Sequence, residues 1–176
     1  MSILTNSLKI ALVVGALGAS SPLPAQQMSS PKDSVRVSIS GATLAIDYSK
    51  PSKRGREIFG GLVPFNRVWR TGANEATHLR TNRDLVFGTV TVPAGQYTIY
   101  TLPGPDAWKL IINRQTGQWG TVYDAAQDLA RIDMKVSQLP ATLEVMAIKL
   151  EPQGNGGVLK VQWDRTEASV GFTVKP

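Results

Sequence analysis

Arginine, tryptophan, asparagine and glutamate gather in one irregular run, residues 55–77, GREIFGGLVPFNRVWRTGANEAT. A guanidinium group donates in a planar fork that matches carboxylate or phosphate oxygens, and aromatic rings offer stacking surface. Arg56, Arg70 and Asn74 are therefore candidate donors to an acidic or hydroxylated ligand. Phe65, Trp69, Trp119 and Tyr123 are candidates for a stacking platform beside them. The same mixture of Trp, Arg and Tyr also suits a protein interface. An architectural reading competes with both. Arg70 and Glu75 can pair across a tight turn at Gly72, with Asn74 satisfying loop carbonyls, so that the run is an internal strut.

The inventory of catalytic groups is short. With no Cys and one His, thiol chemistry and a multi-histidine zinc site are excluded. A Ser-His-Asp triad would have to use His78, whose place beside Arg80 reads as a surface imidazole. No Gly-x-Ser-x-Gly elbow or phosphate-cradling loop occurs. Asp124, Asp128 and Asp133 lack the spacing and glycine of a calcium loop. No metal or cofactor is expected. Glu75, also counted among the ligand- or partner-binding residues, is the one catalytic candidate, in a hydrolase whose second carboxylate would be Asp47 or Asp124.

Charge and export signals narrow the setting. The chain carries a formal net charge of +6. Lys50, Lys53, Arg54, Arg56, Arg67 and Arg70 face the single acid Glu57 between positions 50 and 70, a local positive field that would attract a carboxylate, a phosphate or an acidic surface. A solvated loop is the plainer reading of its lysines. No recognition helix or RNA-binding motif accompanies that field, so nucleic acid is not the expected partner. Residues 1–25 have the form of a secretory signal: Lys9, the apolar run IALVVGALGA at 10–19, then small residues ending at Ala25. That run is too short to span a bilayer in the ordinary way. The expected mature protein is periplasmic or secreted, beginning near Gln26. An uncleaved anchor is the alternative, and membrane contact is expected only through it or through a partner.

The positioning elements read as short strands. Residues 26–33 form a polar, flexible leader, and residues 34–176 a single domain. Alternation at Val35, Val37 and Ile39, then at Leu44, Ile46 and Tyr48, gives a hairpin over 34–48. Strands follow near 76–81, 84–92 (a hairpin turning at Gly88), 96–102 and 108–112. A single helical turn is expected over 124–128. The alternating groups Ile132/Met134/Val136, Met146/Ile148/Leu150, Leu159/Val161/Trp163 and Val170/Phe172/Val174 are each taken as separate strands. Trp108 and Trp163 fall in phase with core faces. Many short strands and no amphipathic helix predict an all-β antiparallel sandwich, jelly-roll or Ig-like, with one long irregular loop segment.

The run KPSKRGREIFGGLVPFNRVWRTGANEAT resembles the hallmark of a family of exported bacterial proteins known only as a domain of unknown function. The hallmark reads R-P-x-x-K-G-R-x-I-F-G-x-L-V-P-x-x-x-V-W-R-T-G-A-N-E-A-T. Similarity continues through VPAGQYTIYTLPG, AWKLIINRQTGQWG and YDAAQDLARIDM, and fades into the strands around LEVMAIKLEP and LKVQWDRTEASVGF. Lys50 stands where Arg is common, Arg54 looks inserted, and His78 occupies a place usually held by Thr or another β-former. The resemblance implies a compact envelope-located β domain and transfers no catalytic residue.

Taken together, the residues suggest an exported, non-enzymatic β domain that uses its Arg/Trp loop for recognition. The partner is an acidic or glycan-like ligand, or an envelope protein, as for an accessory subunit on the periplasmic face of a membrane complex. The hydrolase built on Glu75 is the remaining alternative.

Overall fold

Alternating side chains fold into strands joined by tight turns, as the period-two pattern dictates. The computed structural model describes residues 30–176. The expected signal segment and residues 26–29 of the leader lie outside the described residues. Among the described residues nine strands form: β1 (Lys32–Ile39), β2 (Ala42–Ser49), β3 (Thr77–Thr81), β4 (Leu85–Phe87), β5 (Val90–Val92), β6 (Gly95–Leu102), β7 (Trp108–Asn113), β8 (Asp128–Gln153) and β9 (Gly156–Val174). Neighbouring pairs are all antiparallel. The order is β1-β2-β3-β6-β7-β8-β9-β4-β5, one sheet with edges at β1 and β5 and no barrel closure. The all-β antiparallel class thus stands, with hydrogen bonds linking every strand into a single sheet.

Turn chemistry sets the registers. Ser40 and Gly41 both take positive φ, 49° and 77°, as a two-residue type I′ turn demands. That turn pairs Ile39 with Ala42, and the register runs back to Lys32 opposite Ser49. Strand β1 therefore begins inside the segment expected as a flexible leader. Asp33 holds it there, accepting from the Lys50 ammonium (3.1 Å) and the Tyr48 hydroxyl (3.3 Å).

The closing part of the chain differs from the sequence reading. Four expected strands are two long ones, β8 and β9, joined by a hairpin in which Gln153 pairs with Gly156. Sequence pattern divides β8 because its ladder is interrupted, with register shifts between Gln138 and Leu143 and again between Leu143 and Ala147. Pro140 lies in the first gap and cannot donate to a ladder. Asp164, opposite Leu143, takes φ 55°. Such bulges bend a strand without ending it. The first part of β8, through Met134, pairs with β7, and the part beyond it pairs with β9.

The core gathers apolar side chains from all of these strands except β5's solvent-facing positions, with Leu44, Ile46, Leu79, Ile99, Leu110 and Ile112 each at most 1% exposed. Trp108 and Trp163 are buried, as their phase predicts. The irregular stretch between β2 and β3 is sewn to this frame. Lys53 donates its N–H to Glu144 O (2.7 Å) and Met146 donates to Pro51 O (2.9 Å). Trp69 and Thr101 exchange main-chain bonds (2.8 and 2.9 Å), and Ala73 donates to Ser49 O (3.2 Å). Phe59 packs edge-on to Trp69, Trp108 and Trp163, while Trp69 stacks on Trp163 at 5.9 Å and 17°. A loop anchored at its aromatic residues to three strands presents its polar residues from fixed positions.

Candidate functional site

The segment from Trp69 to His78 feeds two clefts. In the first, Arg70 stands with Arg54, Arg56 and Asn74 over walls of Leu62, Val63, Trp69 and Trp163, around a volume of about 280 Å³. No Asp or Glu among the described residues lines it. Local backbone geometry creates this presentation. Thr71 and Asn74 both adopt left-handed conformations, φ 53° and 58°, which is costly for a β-branched residue. Thr71 is held in place by its hydroxyl, which bonds Thr101 Oγ1 (3.1 Å) and Trp69 O (3.3 Å). Thr77 Oγ1 donates to Thr71 O (2.9 Å). Asn74 donates its side-chain amide to Ser30 O (3.0 Å), so the start of the described chain closes one side of the cleft.

Arg70 is the exceptional group. Its Nε is buried without a hydrogen-bond partner among the described residues, as are three oxygens, Glu75 Oε2, Gln115 Oε1 and Gln118 Oε1. No carboxylate there reaches it, and the chain before Lys32 contains no acidic residue. Burial pushes its pKa down from the ordinary guanidinium value, though a guanidinium stays charged at neutral pH. Gly120 backs it: a Cβ there would strike the Arg70 side chain and come within 2.7 Å of Asn74 O. Beyond Gly120, Arg70 and Trp69 also line a smaller recess with Val68, Tyr100, Thr121 and Tyr123. Arg56 is exposed and turned toward its own loop, donating to Lys53 O (3.0 Å) and Ser52 O (2.6 Å). Arg54 sits at the rim, its main-chain N–H bonded to Glu144 Oε1 (2.8 Å).

The second cleft is larger and more open, lined by Lys32, Asp33, Ser34, Asp47, Tyr48, Ser49, Glu75, Ala76 and His78. Here every acid has a basic partner. Glu75 pairs with Lys32 (3.0 Å), Asp33 with Lys50 (3.1 Å), and Asp47 with Arg80 and Arg36. The Lys32 bond holds the Glu75 carboxyl below its usual range, with the Glu75 main chain contributing. Burial opposes ionisation of Asp33, yet bonds from Lys50 and Ser34 outweigh it and lower its pKa. Asp47 follows the same balance through Ser34, Arg80 and Arg36. His78 is half-buried rather than a free surface imidazole. Its Nε2 accepts from the Gly117 N–H (3.0 Å), and burial, reinforced by Arg80, depresses its pKa.

The expected pairing of Arg70 with Glu75 does not form. Residue 75 bridges to Trp119 through its main chain and turns its carboxylate to Lys32, a partner from the far end of the sequence. Of the expected ligand-binding residues, the fold brings Arg56, Trp69, Arg70 and Asn74 to one cleft and Tyr123 to the recess behind Arg70. Tyr123 is engaged, donating to Asp128 Oδ2 (2.6 Å) and accepting from Arg131 (2.8 Å), and burial together with Asp128 pushes its pKa up to about 12. Phe65 caps Gly60 on the loop surface and Trp119 stands 51% exposed, so neither stacks with Trp69. Leu62, Val63, Trp163 and Gly120 shape the site without having been singled out. Only the glycine in QWG carried a local hint of close approach.

Among the described residues no group of three or more His, Cys, Asp or Glu side chains is placed to hold a metal ion. No helix among them is long and apolar enough to cross a membrane. No curated protein and no solved structure matches this chain. A family model does match, over residues 30–172, and it spans both clefts and all of the sheet but the last two residues of β9. The chain belongs to the family described as Protein of unknown function (DUF2911).

Proposed function

We propose that this is an exported, non-enzymatic binding domain whose Arg70 cleft recognises an anionic group on a ligand or partner. One observation carries the reading: a half-buried guanidinium without a carboxylate partner, in a cleft lined by further arginines and no acid. Leaving a buried cation unpaired is destabilising, and strained backbone at Thr71 adds to the cost. Functional sites are where such costs are retained. Leu62 and Phe65, exposed on the same loop, suit the version in which the ligand belongs to an envelope protein and the domain is an accessory subunit.

The hydrolase alternative draws support from Glu75 and Asp47 lining one cleft. Its chemistry argues otherwise. Acid-assisted bond cleavage needs a carboxyl kept protonated near neutral pH, and Asp33, Asp47 and Glu75 are all shifted the other way. Thermal-shift titration of the purified protein with small carboxylates, uronic-acid oligosaccharides and phosphate tests the binding reading, since a ligand of the native state raises the melting temperature. Stabilisation that disappears in Arg70→Gln is expected. No stabilisation by any anion would contradict it. For export, the mature N-terminus should be Gln26, and an intact Met1 in the envelope fraction would contradict that part.

A further inference from the structure

We infer that the group the Arg70 cleft takes is a phosphomonoester, presented on a body with an apolar face; this rests on the anion-binding reading above. Three features of the cleft lead there. Among the described residues its polar lining is three arginines, Asn74, Ser30 and Ser52, without a lysine or an acid. The Arg70 fork, whose Nε has no partner among the described residues, matches a tetrahedral oxyanion, whose three terminal oxygens accept from several directions at once. The positive field of Arg70 and Arg56, unmatched by any acid lining the cleft, is met better by a dianion than by a single carboxylate. A phosphomonoester carries that second charge at neutral pH, with its second pKa near about 6.

Size and wall chemistry describe the rest of the ligand. About 280 Å³ holds the charged group and a short stretch of what bears it. The large apolar side chains lining the cleft are Leu62, Val63, Trp69 and Trp163. Leu62 is 46% exposed at the mouth, and Phe65 on the same loop is 37% exposed. Arg67 is exposed between Phe65 and Trp69. An apolar body leaving the cleft would lie along these side chains. The phosphoryl group has two possible sources, a soluble phosphate compound or the headgroup of a lipid, and the surface chemistry is shared by both.

The test titrates the purified protein with inorganic phosphate and with acetate at matched ionic strength. In parallel it sediments the protein with phosphatidylcholine vesicles, plain or doped with phosphatidic acid. Phosphate is expected to bind at least about tenfold more tightly than acetate. Its binding should weaken as the pH falls and the dianion takes up a proton. Arg70→Lys, which keeps charge but not the fork, should lose most of the preference, and Arg56→Gln, on the exposed rim, should weaken binding without affecting folding. Arg70-dependent binding to the doped vesicles identifies a lipid source; phosphate binding without vesicle binding identifies a soluble one. Either supports the inference. Acetate binding as tightly as phosphate would overturn it and leave the anion-binding reading standing. A folded protein that binds neither anion nor doped vesicles would overturn both.

Discussion

Two clefts that share one stretch of ten residues have opposite electrostatics. Around Glu75 each carboxylate meets a lysine or arginine, and the acids Asp33, Asp47 and Glu75 are held ionised by those partners. Around Arg70 the cation is half-buried, its Nε has no acceptor among the described residues, and the absence of a side chain at Gly120 leaves room for it. Charges paired at a surface contribute little and are screened by solvent. A half-buried cation without a partner, by contrast, costs stability for as long as the site is empty. The ion pairs of the Glu75 cleft are therefore accounted for by folding alone, and the unpaired Arg70 is not.

Substitutions can break that contrast, and the largest effect lies under the Arg70 cleft. Trp163→Ala removes a side chain that both floors the cleft and closes the aromatic cluster with Phe59 and Trp69. It should cost about 3–5 kcal/mol in urea unfolding. A loss under about 1 kcal/mol would show that the loop is not held by this cluster. Gly120→Ala acts next. The added methyl group meets Arg70 and Asn74, so anion affinity should fall about tenfold, or about 1.4 kcal/mol, by titration calorimetry. Unchanged affinity would mean that the pose of Arg70 does not govern the site.

Changes in the paired cleft should be small. Lys32 and Glu75 are 66% and 44% exposed, so Lys32→Ala or Glu75→Gln should alter stability by less than about 1 kcal/mol. Neither should change anion binding. Loss of a hydrolytic activity in Glu75→Gln would instead move the function to this cleft. The smallest expected effect concerns acid. The His78 pKa is depressed in the folded protein, so the unfolded chain takes up the proton first. Its contribution to stability is complete above the unfolded value near 6.5 and is lost as the pH falls below it. His78→Gln should flatten that part of the melting-temperature profile, and an unaltered profile would show that His78 does not couple to folding.

Much of the frame was legible in advance because period-two burial and turn residues are local signals. The hairpin turning at Ser40-Gly41, the small one at Gly88 and the helical turn over Ala125–Gln127 all lie where side-chain type places them. Strands β8 and β9 were not legible as continuous elements, since Pro140 and the bulges around Leu143 interrupt the alternation while hydrogen bonding resumes beyond them. The run bearing Arg70 was legible as a site by composition. Its electrostatics were not: Glu75 lies five positions from Arg70, yet its partner is Lys32, which only the β1–β2 hairpin brings near. Likewise Gly120 and Trp163 reach Arg70 through strand pairing and a returning loop, contacts that no local pattern encodes.

The central claim is that Arg70 is kept for a ligand at some expense to the empty fold. Arg70→Met tests it most directly, because methionine fills similar space without charge. Melting temperature and phosphate titration should be measured together on the variant and the parent protein. The account predicts a variant at least as stable as the parent that no longer binds phosphate. A variant that melts several degrees lower while anion binding persists would contradict it, and would make Arg70 part of the scaffold.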